Sequence, residues 1–201
     1  MAVSVEQIKE LREATGAGVM DCRKALETAN GDFDKAVEIL RESAMAKVAK
    51  RAEREAAEGY LDLYSHGDGR VGVMVEVNCE TDFVARSEEF RMFAHELALQ
   101  IAATNPRYVA PQDIPEDLLE QERAEARKWA LDEGKPGHVI DRIIEGRLDK
   151  FKDEVCLLRQ TYIRDEDLTV QDLLNQHIAT LGENIVIRRF VRWEVGADTG
   201  S

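Results

Sequence analysis

The sequence predicts an α+β protein with an N-terminal three-helix module, a helical linker, and a core in which a small antiparallel sheet is packed by helices. Residues 1–45 contain three short amphipathic segments separated by glycine turns. Residues 46–58 are rich in alanine and charged residues and carry no wide apolar stripe. Residues 59–196 combine alternating β-branched segments with longer helical stripes, which is typical of an α+β domain. Residues 197–201 are predicted to be a disordered tail.

The N-terminal module is predicted from its caps and its turns. Ser4 and Gln7 have the spacing of a capping box, so a helix begins after Ser4. Thr15-Gly16-Ala17-Gly18 ends that helix, Asn30-Gly31 ends a second one, and Asp32 caps a third. The apolar stripes of the three helices are Val5, Ile8 and Leu11; Val19, Cys22, Leu26 and Ala29; and Phe33, Ala36, Val37 and Leu40. Together they predict a small bundle with a thin core.

The segment that follows favours helix by composition but has little apolar surface to bury. Ala44 to Glu58 reads AMAKVAKRAEREAAE. We therefore predict that it is a helical linker and marks a domain boundary. The alternative is a basic patch formed by Lys47, Lys50, Arg51 and Arg54, which the interleaved glutamates weaken.

A strand, a corner and a helix follow one another around Glu76 to Arg86, which reads EVNCETDFVAR. Four valines on alternate positions from Val71 to Val77 predict a strand with one apolar face. Ser87 is placed to cap the following helix. The stripe of that helix is Phe90, Phe93, Leu97 and Ile101. The corner between strand and helix is expected at the surface, so Phe83 is either folded back into the core or held out toward a partner.

The rest of the core is predicted from turn residues and periodicity. Gly67-Asp68-Gly69 joins two strands as a hairpin, and Gly134 to Gly137 separates two helices. The second of these helices has the stripe Val139, Ile140, Ile143, Ile144, Leu148 and Phe151. We predict a strand from Val155 to Ile163, a helix after Thr169, and a last strand from Ile185 to Val195.

The charge balance limits the kinds of partner. The chain has 27 Lys and Arg against 40 Asp and Glu, which gives a formal net charge of −13. Phosphate backbones repel such a chain and no basic run relieves the repulsion, so we expect no direct nucleic-acid binding. No apolar run approaches the roughly 20 residues of a membrane span, so no membrane contact is expected. Because the N-terminus lacks the basic start and apolar stretch of a signal peptide, we expect a cytoplasmic protein.

The sequence carries no signature of a cofactor or of a metal site. It has neither a GxxxxGK[ST] loop nor a GxGxxG turn, and Cys22, Cys79 and Cys156 do not form a CxxC motif. A cysteine hydrolase is an alternative, with Cys79 as the nucleophile and His66 or His95 as the base. Nothing in the spacing places either histidine within reach of the thiol. A binding protein anchored by an aromatic residue is the better interpretation.

Two longer motifs carry a resemblance to a known family. LREATGAGVMDCRKAL, from Leu11 to Leu26, and EVNCETDFVAR resemble the two characteristic motifs of the elongation factor Ts family. The resemblance continues in order through GKP, EGR, EVCLL and GENIVIRRFVRWEVG. Arg23 stands where the first motif usually has lysine, and it keeps the positive charge. The resemblance covers nearly the whole chain and implies the compact form of the family, with a ubiquitin-associated-like module before the α+β core.

The resemblance also implies a partner and a mechanism. Members of this family exchange guanine nucleotide on elongation factor Tu without covalent chemistry and without a cofactor. By resemblance, the segment that enters elongation factor Tu near its nucleotide and displaces the bound Mg²⁺ is Thr81, Asp82, Phe83 and Val84. A second contact with the partner is implied for Leu11, Arg12, Thr15, Gly16 and His138. Leu11 is equally suited to the core of its module.

The oligomeric state and a second class of function stay open. A compact member of the family can form a homodimer that serves two partners, but no feature of the sequence requires one. Cys156 is either paired across such a dimer or, in a reducing cytoplasm, a free buried thiol. The alternative to an exchange factor is an adaptor whose N-terminal module binds a partner while the core is a scaffold. Deletion of residues 1–45 would abolish all binding by an adaptor, whereas an exchange factor would keep a core contact.

Overall fold

The computed structural model describes residues 3–197, and the predicted α+β class is confirmed. The helices are α1 (Val5–Thr15), α2 (Val19–Thr28), α3 (Phe33–Arg51), α4 (Asp82–Ala85), α5 (Glu88–Thr104), α6 (Glu116–Asp132), α7 (Gly137–Val155) and α8 (Val170–Leu181). The strands are β1 (Glu58–His66), β2 (Val71–Cys79), β3 (Thr161–Tyr162), β4 (Asp165–Thr169) and β5 (Val186–Glu194). Among these helices, none is long and apolar enough to cross a membrane. Most of the predicted tail, residues 198–201, lies outside the described residues.

The chain forms two compact units, and each is assembled from separate stretches of sequence. The first unit combines the chain up to Tyr60 with Val77–Ala94 and Asp172–Val186. The second unit combines Leu61–Glu76 with His95–Gln171 and the chain from Ile187 onward. The N-terminal helices, the corner and α8 from Asp172 onward therefore belong to one unit.

The three N-terminal helices form as their caps predict. Ser4 and Gln7 make both hydrogen bonds of a capping box, and the Asp32 side chain accepts from the Lys35 backbone N–H. Gly16 ends α1 in the left-handed region, with φ of 67°. The core of the module is formed by Leu11, Cys22, Ala25, Leu26, Ala29, Ala36 and Leu40. Val5 and Val19, the first residues of the predicted stripes of α1 and α2, are exposed at the helix starts.

The predicted linker begins within a continuous helix. α3 runs without interruption through residue 46 to Arg51, and the chain then turns toward β1. The basic residues of this segment make contacts inside their own unit. Arg51 Nη1 donates to the Ile178 carbonyl oxygen (3.0 Å), and Lys47 Nζ donates to Asp21 Oδ2 (2.7 Å). The division into domains at residues 45 and 58 stays a prediction.

β1, β2 and β5 form a three-stranded sheet in that order. The predicted valine face is confirmed, since Val73, Val75 and Val77 are buried. β1 differs from an ordinary amphipathic strand because its polar residue faces inward. Asp62 is buried and lies 3.0 Å from His95 Nδ1, whereas Leu61 and Leu63 are exposed. Leu61 and Leu63 therefore face outward, because alternation along β1 places them on the side opposite the buried Asp62.

α6 and α7 pack together as an antiparallel pair separated by the predicted break, with Ala126, Ile144 and Leu148 buried between them. The predicted strand from Val155 to Ile163 is wrong over most of its length. Val155 is the last residue of α7, a 3₁₀ turn covers Leu157–Arg159, and only Thr161–Tyr162 pairs as a strand, with β4.

Candidate partner-binding site

The corner after β2 is a single helical turn, α4, rather than an irregular loop. Thr81 is its N-cap, with extended backbone angles of −127° and 152°, and its Oγ1 accepts from the Val84 backbone N–H (3.3 Å). Ser87 Oγ accepts from the Phe90 N–H (3.3 Å) and so caps α5, as predicted. Two successive caps therefore define how the chain leaves the sheet.

The structure distinguishes between the two roles left open for Phe83. Its side chain is 82% exposed, whereas Val84 and Ala85, the next residues of the same turn, are buried. One helical turn thus presents an aromatic ring outward and is anchored by its apolar neighbours. An aromatic side chain this exposed is a typical element of a binding surface.

Asp82 is the other outward side chain of α4. Its Oδ2 lies 3.1 Å from Arg86 Nη2, and both side chains are mostly exposed. An exposed pair one helical turn apart contributes little to stability, so a partner can separate it at small cost. The Asp82 carboxylate is therefore available for a contact outside the chain.

The corner is held from behind by Glu183, in the turn between α8 and β5. Glu183 Oε2 accepts from the backbone N–H groups of Glu80 and Thr81, both at 3.1 Å. Its Oε1 accepts from the Thr81 hydroxyl at 2.6 Å. One carboxylate thus takes three donors from two consecutive corner residues.

A second carboxylate, that of Glu80 in the corner, binds the backbone of the turn that carries Glu183. Glu80 Oε1 accepts from the Asn184 backbone N–H (2.6 Å) and lies 3.4 Å from Arg54 Nη1. The Asn184 side-chain amide donates to the Arg54 carbonyl oxygen (2.8 Å). The corner, the Gly182–Asn184 turn and the segment before β1 therefore form one hydrogen-bonded network.

The predicted second contact falls at the turn between α1 and α2. Arg12 and Gly16 are exposed, and Thr15 Oγ1 donates to the Leu11 carbonyl oxygen (2.6 Å). Leu11 itself is fully buried in the module core, so its side chain has the core role that was the alternative for it. Met20 is 70% exposed in the first turn of α2, and the sequence did not single it out.

His138 lies in the first turn of α7 and is exposed. It belongs to the second unit, whereas Arg12, Thr15 and Gly16 belong to the first. The described structure therefore does not join His138 to the other predicted contact residues in one unit.

Comparison with known proteins agrees with the motifs. A family model described as elongation factor TS matches residues 4–197. Elongation factor Ts of Caldanaerobacter subterraneus subsp. tengcongensis is 60% identical over 194 residues, which cover 96% of this chain and 97% of that protein. The chain belongs to the elongation factor Ts family. Proteins of the same name from Thermoanaerobacter sp. and Carboxydothermus hydrogenoformans are 59% and 56% identical, over 96% of this chain and 95% and 89% of their own lengths.

In this member of the elongation factor Ts family, the thiol beside the corner is not a competent nucleophile. Cys79 is fully buried, and its Sγ donates to the Thr81 carbonyl oxygen (3.2 Å). Burial first, and then the negative charge of Glu183, raise the pKa of the Cys79 thiol to about 11. The thiol is protonated at neutral pH, which argues against the nucleophile role in the cysteine hydrolase alternative. Cys156 is also a free, fully buried thiol.

The carboxylates around the corner serve as hydrogen-bond acceptors and ion-pair partners. Glu76 Oε2 lies 2.7 Å from Arg189 Nε, and Glu80 bonds to Asn184. Within the described residues, no group of three or more His, Cys, Asp and Glu side chains is arranged to hold a metal ion. The site is therefore built from a fixed backbone and two outward side chains, Asp82 and Phe83.

Sequence reasoning missed the residues that support the corner. Glu183 and Asn184 lie in the GENIVIRRFVRWEVG motif, which was used only for the resemblance. Glu183 is 102 residues from Thr81 in the sequence, so no local pattern pairs them. The one available signal was a charged residue directly after a helix-ending glycine, Gly182.

Proposed function

We propose that the chain is a guanine nucleotide exchange factor that binds GDP-bound elongation factor Tu and promotes GDP release. Membership of the elongation factor Ts family supports this proposal, since the similarity extends over 96% of the chain. The partner is bound in its GDP form and in its nucleotide-free form. The chain performs no covalent chemistry in this scheme and needs no cofactor.

The observation that carries the proposal is the exposure of Phe83 on a fixed turn. The ring is 82% exposed while Val84 below it is buried. The turn is capped by Thr81 and hydrogen-bonded to Glu183. A ring carried outward on a fixed turn can enter a neighbouring site with little loss of backbone conformational entropy on binding.

In the proposed mechanism, the segment Thr81 to Val84 enters the partner near its nucleotide and displaces Mg²⁺. Phosphates and Mg²⁺ are held by backbone donors and a few oxygen ligands, so small displacements cost much affinity. Phe83 acts by steric intrusion and Asp82 by its negative charge. Thr81 caps the turn and Val84 anchors it, which their hydrogen bond and burial support.

The energetics require a larger interface than the corner. Burying Phe83 contributes about 2–3 kcal/mol to binding, which is enough to anchor the inserted ring but too little to hold a stable complex. A stable complex buries roughly 1,600 Å² in total. By thermodynamic reciprocity, the factor by which this chain weakens nucleotide binding is the factor by which nucleotide weakens binding of the chain. GTP can therefore complete the cycle by displacing the exchange factor.

We assign the second contact to Arg12, Thr15, Gly16 and His138, of which Arg12, Gly16 and His138 are exposed. Leu11 contributes by holding α1 in the module core rather than by direct contact. The exposed Met20 lies on the same module and extends the proposed surface.

The test is the release of labelled GDP from purified elongation factor Tu. We expect Phe83→Ala to lower the accelerated release rate by about 30-fold or more, because about 2–3 kcal/mol of lost burial corresponds to a factor of about 30–150. The fold is expected to stay intact, since the ring is mostly exposed. Leu131→Ala is the matched control, because it removes another exposed apolar side chain, on α6.

Full acceleration by Phe83→Ala would remove Phe83 from the mechanism. If the unmodified protein does not accelerate release, the exchange function itself is wrong. Binding without acceleration would favour the adaptor alternative.

We further propose that the chain forms a homodimer through one face of its sheet. Strand alternation places Leu61, Leu63, Met74 and Trp193 outward, and Val195 directly follows β5; all five are exposed. Trp193 is 77% exposed and Leu63 is 73% exposed. The charges on this face, Glu76 and Arg189, pair with each other at 2.7 Å, so two acidic copies can meet here with little repulsion.

A further inference from the structure

We propose that Glu183 is a positioning residue that fixes the corner in the conformation needed to present Phe83. This inference rests on the proposed exchange function and extends it to a residue outside the corner. Glu183 does not need to touch the partner. It acts through Thr81, which caps the turn that carries Phe83.

The corner has a structural need for an external acceptor. β2 ends at Cys79 and α4 begins at Asp82, so the N–H groups of Glu80 and Thr81 lie between two regular elements. Both N–H groups donate to Glu183 Oε2 at 3.1 Å. A carboxylate that accepts backbone N–H groups makes charge-assisted hydrogen bonds, which are stronger than neutral ones.

The Thr81 hydroxyl transmits this constraint to the turn. It donates its only proton to Glu183 Oε1 at 2.6 Å, and its oxygen accepts from the Val84 N–H at 3.3 Å. Because the proton is committed to Glu183, a lone pair is directed toward Val84. Glu183 therefore sets the orientation of the hydroxyl that caps α4.

The hydrogen bond from the Asn184 backbone to the Glu80 side chain also holds the corner against the Gly182–Asn184 turn. Glu80 accepts from the Asn184 N–H at 2.6 Å, so neighbouring residues of each segment bind the backbone of the other. Arg54 lies 3.4 Å from Glu80 and offsets the repulsion between the two carboxylates. Two reciprocal contacts fix both the distance and the twist between the corner and the Gly182–Asn184 turn.

The first experiment measures the corner without the partner. Amide hydrogen exchange of Glu80 and Thr81 is followed by NMR in the full chain and in Glu183→Ala. We expect both amides to exchange roughly tenfold faster or more in the variant, since each loses a charge-assisted acceptor. Glu42→Gln is the control, because it removes one negative charge from an exposed position on α3.

The second experiment uses accelerated GDP release to separate positioning from general destabilisation. We expect Glu183→Ala to lower the GDP release rate at a saturating concentration of elongation factor Tu. This factor should be larger than the factor by which the variant raises the concentration that gives half of the saturating rate. We also expect Phe83→Ala to lose no further activity when Glu183→Ala is added, because Glu183 acts through Phe83. A merely structural role would make the two losses multiply.

Further variants guard against a failure to fold. Glu183→Gln keeps the shape but offers only one accepting oxygen, so it should show an intermediate rate. Thr81→Val removes the hydroxyl, and Thr81→Ser restores it and should restore activity. Unchanged exchange of the Glu80 and Thr81 amides, or multiplicative losses in the double variant, would overturn the role of Glu183. Failure of the unmodified protein to release GDP would instead overturn the proposed function.

Discussion

His177 is a polar residue in an apolar setting on α8. Its ring lies 4.3 Å from the ring of Phe93, and its Nδ1 atom is buried without a hydrogen-bond partner among the described residues. Burial lowers the pKa of His177 below the usual 6.5, because the imidazolium would lose hydration there. The folded protein therefore favours the neutral ring.

This setting predicts a loss of stability in mild acid. Because the unfolded state binds the His177 proton more strongly, stability is fully present above about pH 6.5 and falls as the pH drops from there toward the folded-state pKa. One group contributes at most about 1.4 kcal/mol per pH unit. We expect His177→Phe to flatten the pH dependence of the free energy of unfolding between pH 7 and pH 5, measured by urea titration.

The control for this prediction is His138→Gln, which removes an exposed histidine. It should leave the pH dependence close to that of the unmodified protein. If His177→Phe and the unmodified protein lose stability in parallel, His177 does not produce the effect.

Residues whose partners are close in the sequence could be predicted, and residues with distant partners could not. Ser4, Asp32 and Ser87 were recognised as caps because each bonds to a backbone group three residues away. Glu183 was missed because its partners lie more than 100 residues away. The exposure of Phe83 was an open alternative in the sequence, because residue type alone does not say which side of a corner faces the solvent.

β1 and β2 approach closely at the end next to the corner, and this approach requires a glycine. A Cβ atom on Gly59 would lie 2.3 Å from the Val77 carbonyl oxygen and 2.9 Å from Asn78 Cα. Both are backbone atoms, so they cannot move aside as a flexible side chain would. The start of β1 can thus approach β2 this closely only because residue 59 has no side chain.

We expect Gly59→Ala to destabilise the protein by about 1–3 kcal/mol, because the added methyl group forces the two strands apart. The measurement is the free energy of unfolding from chemical denaturation. Gly72→Ala on β2 is the matched control, since nothing lies within 4 Å of its added Cβ. Equal effects of the two substitutions would show that the loss of stability comes from strand propensity and not from the close approach of β1 to β2.

Long periodic elements were predictable, and short or interrupted ones were not. The valine strand, the helix α5 and the last strand have clear periods of two or between three and four residues. Val155 to Ile163 also looked like a strand because short apolar runs fit both a strand and the end of a helix. In the fold, α7 continues to Val155, and the β3–β4 pair was too short and polar to predict. The inward Asp62 of β1 depends on His95 of α5, which alternation alone does not indicate.

For the molecule as a whole, the outward sheet face predicts the oligomeric state. We expect a dimer in solution, and we expect Trp193→Glu to convert it to a monomer by placing a charge in the apolar interface. Sedimentation equilibrium measures the mass of each form. The chain has two tryptophans, so Trp129→Glu on α6 is a matched control that should remain dimeric.

A monomeric unmodified protein at all concentrations would contradict the dimer, as would a Trp193→Glu variant that keeps the mass of a dimer. Neither variant changes a residue of the corner.

The buried cysteines of this chain can report local unfolding. All three thiols are buried, and Cys79 in addition keeps its proton until strongly alkaline pH. Alkylating and oxidising compounds therefore meet no reactive sulfur while the native packing lasts. The rate at which such a compound modifies Cys79 would report how often the segment next to Phe83 opens locally. A partner bound to that segment would lower this rate.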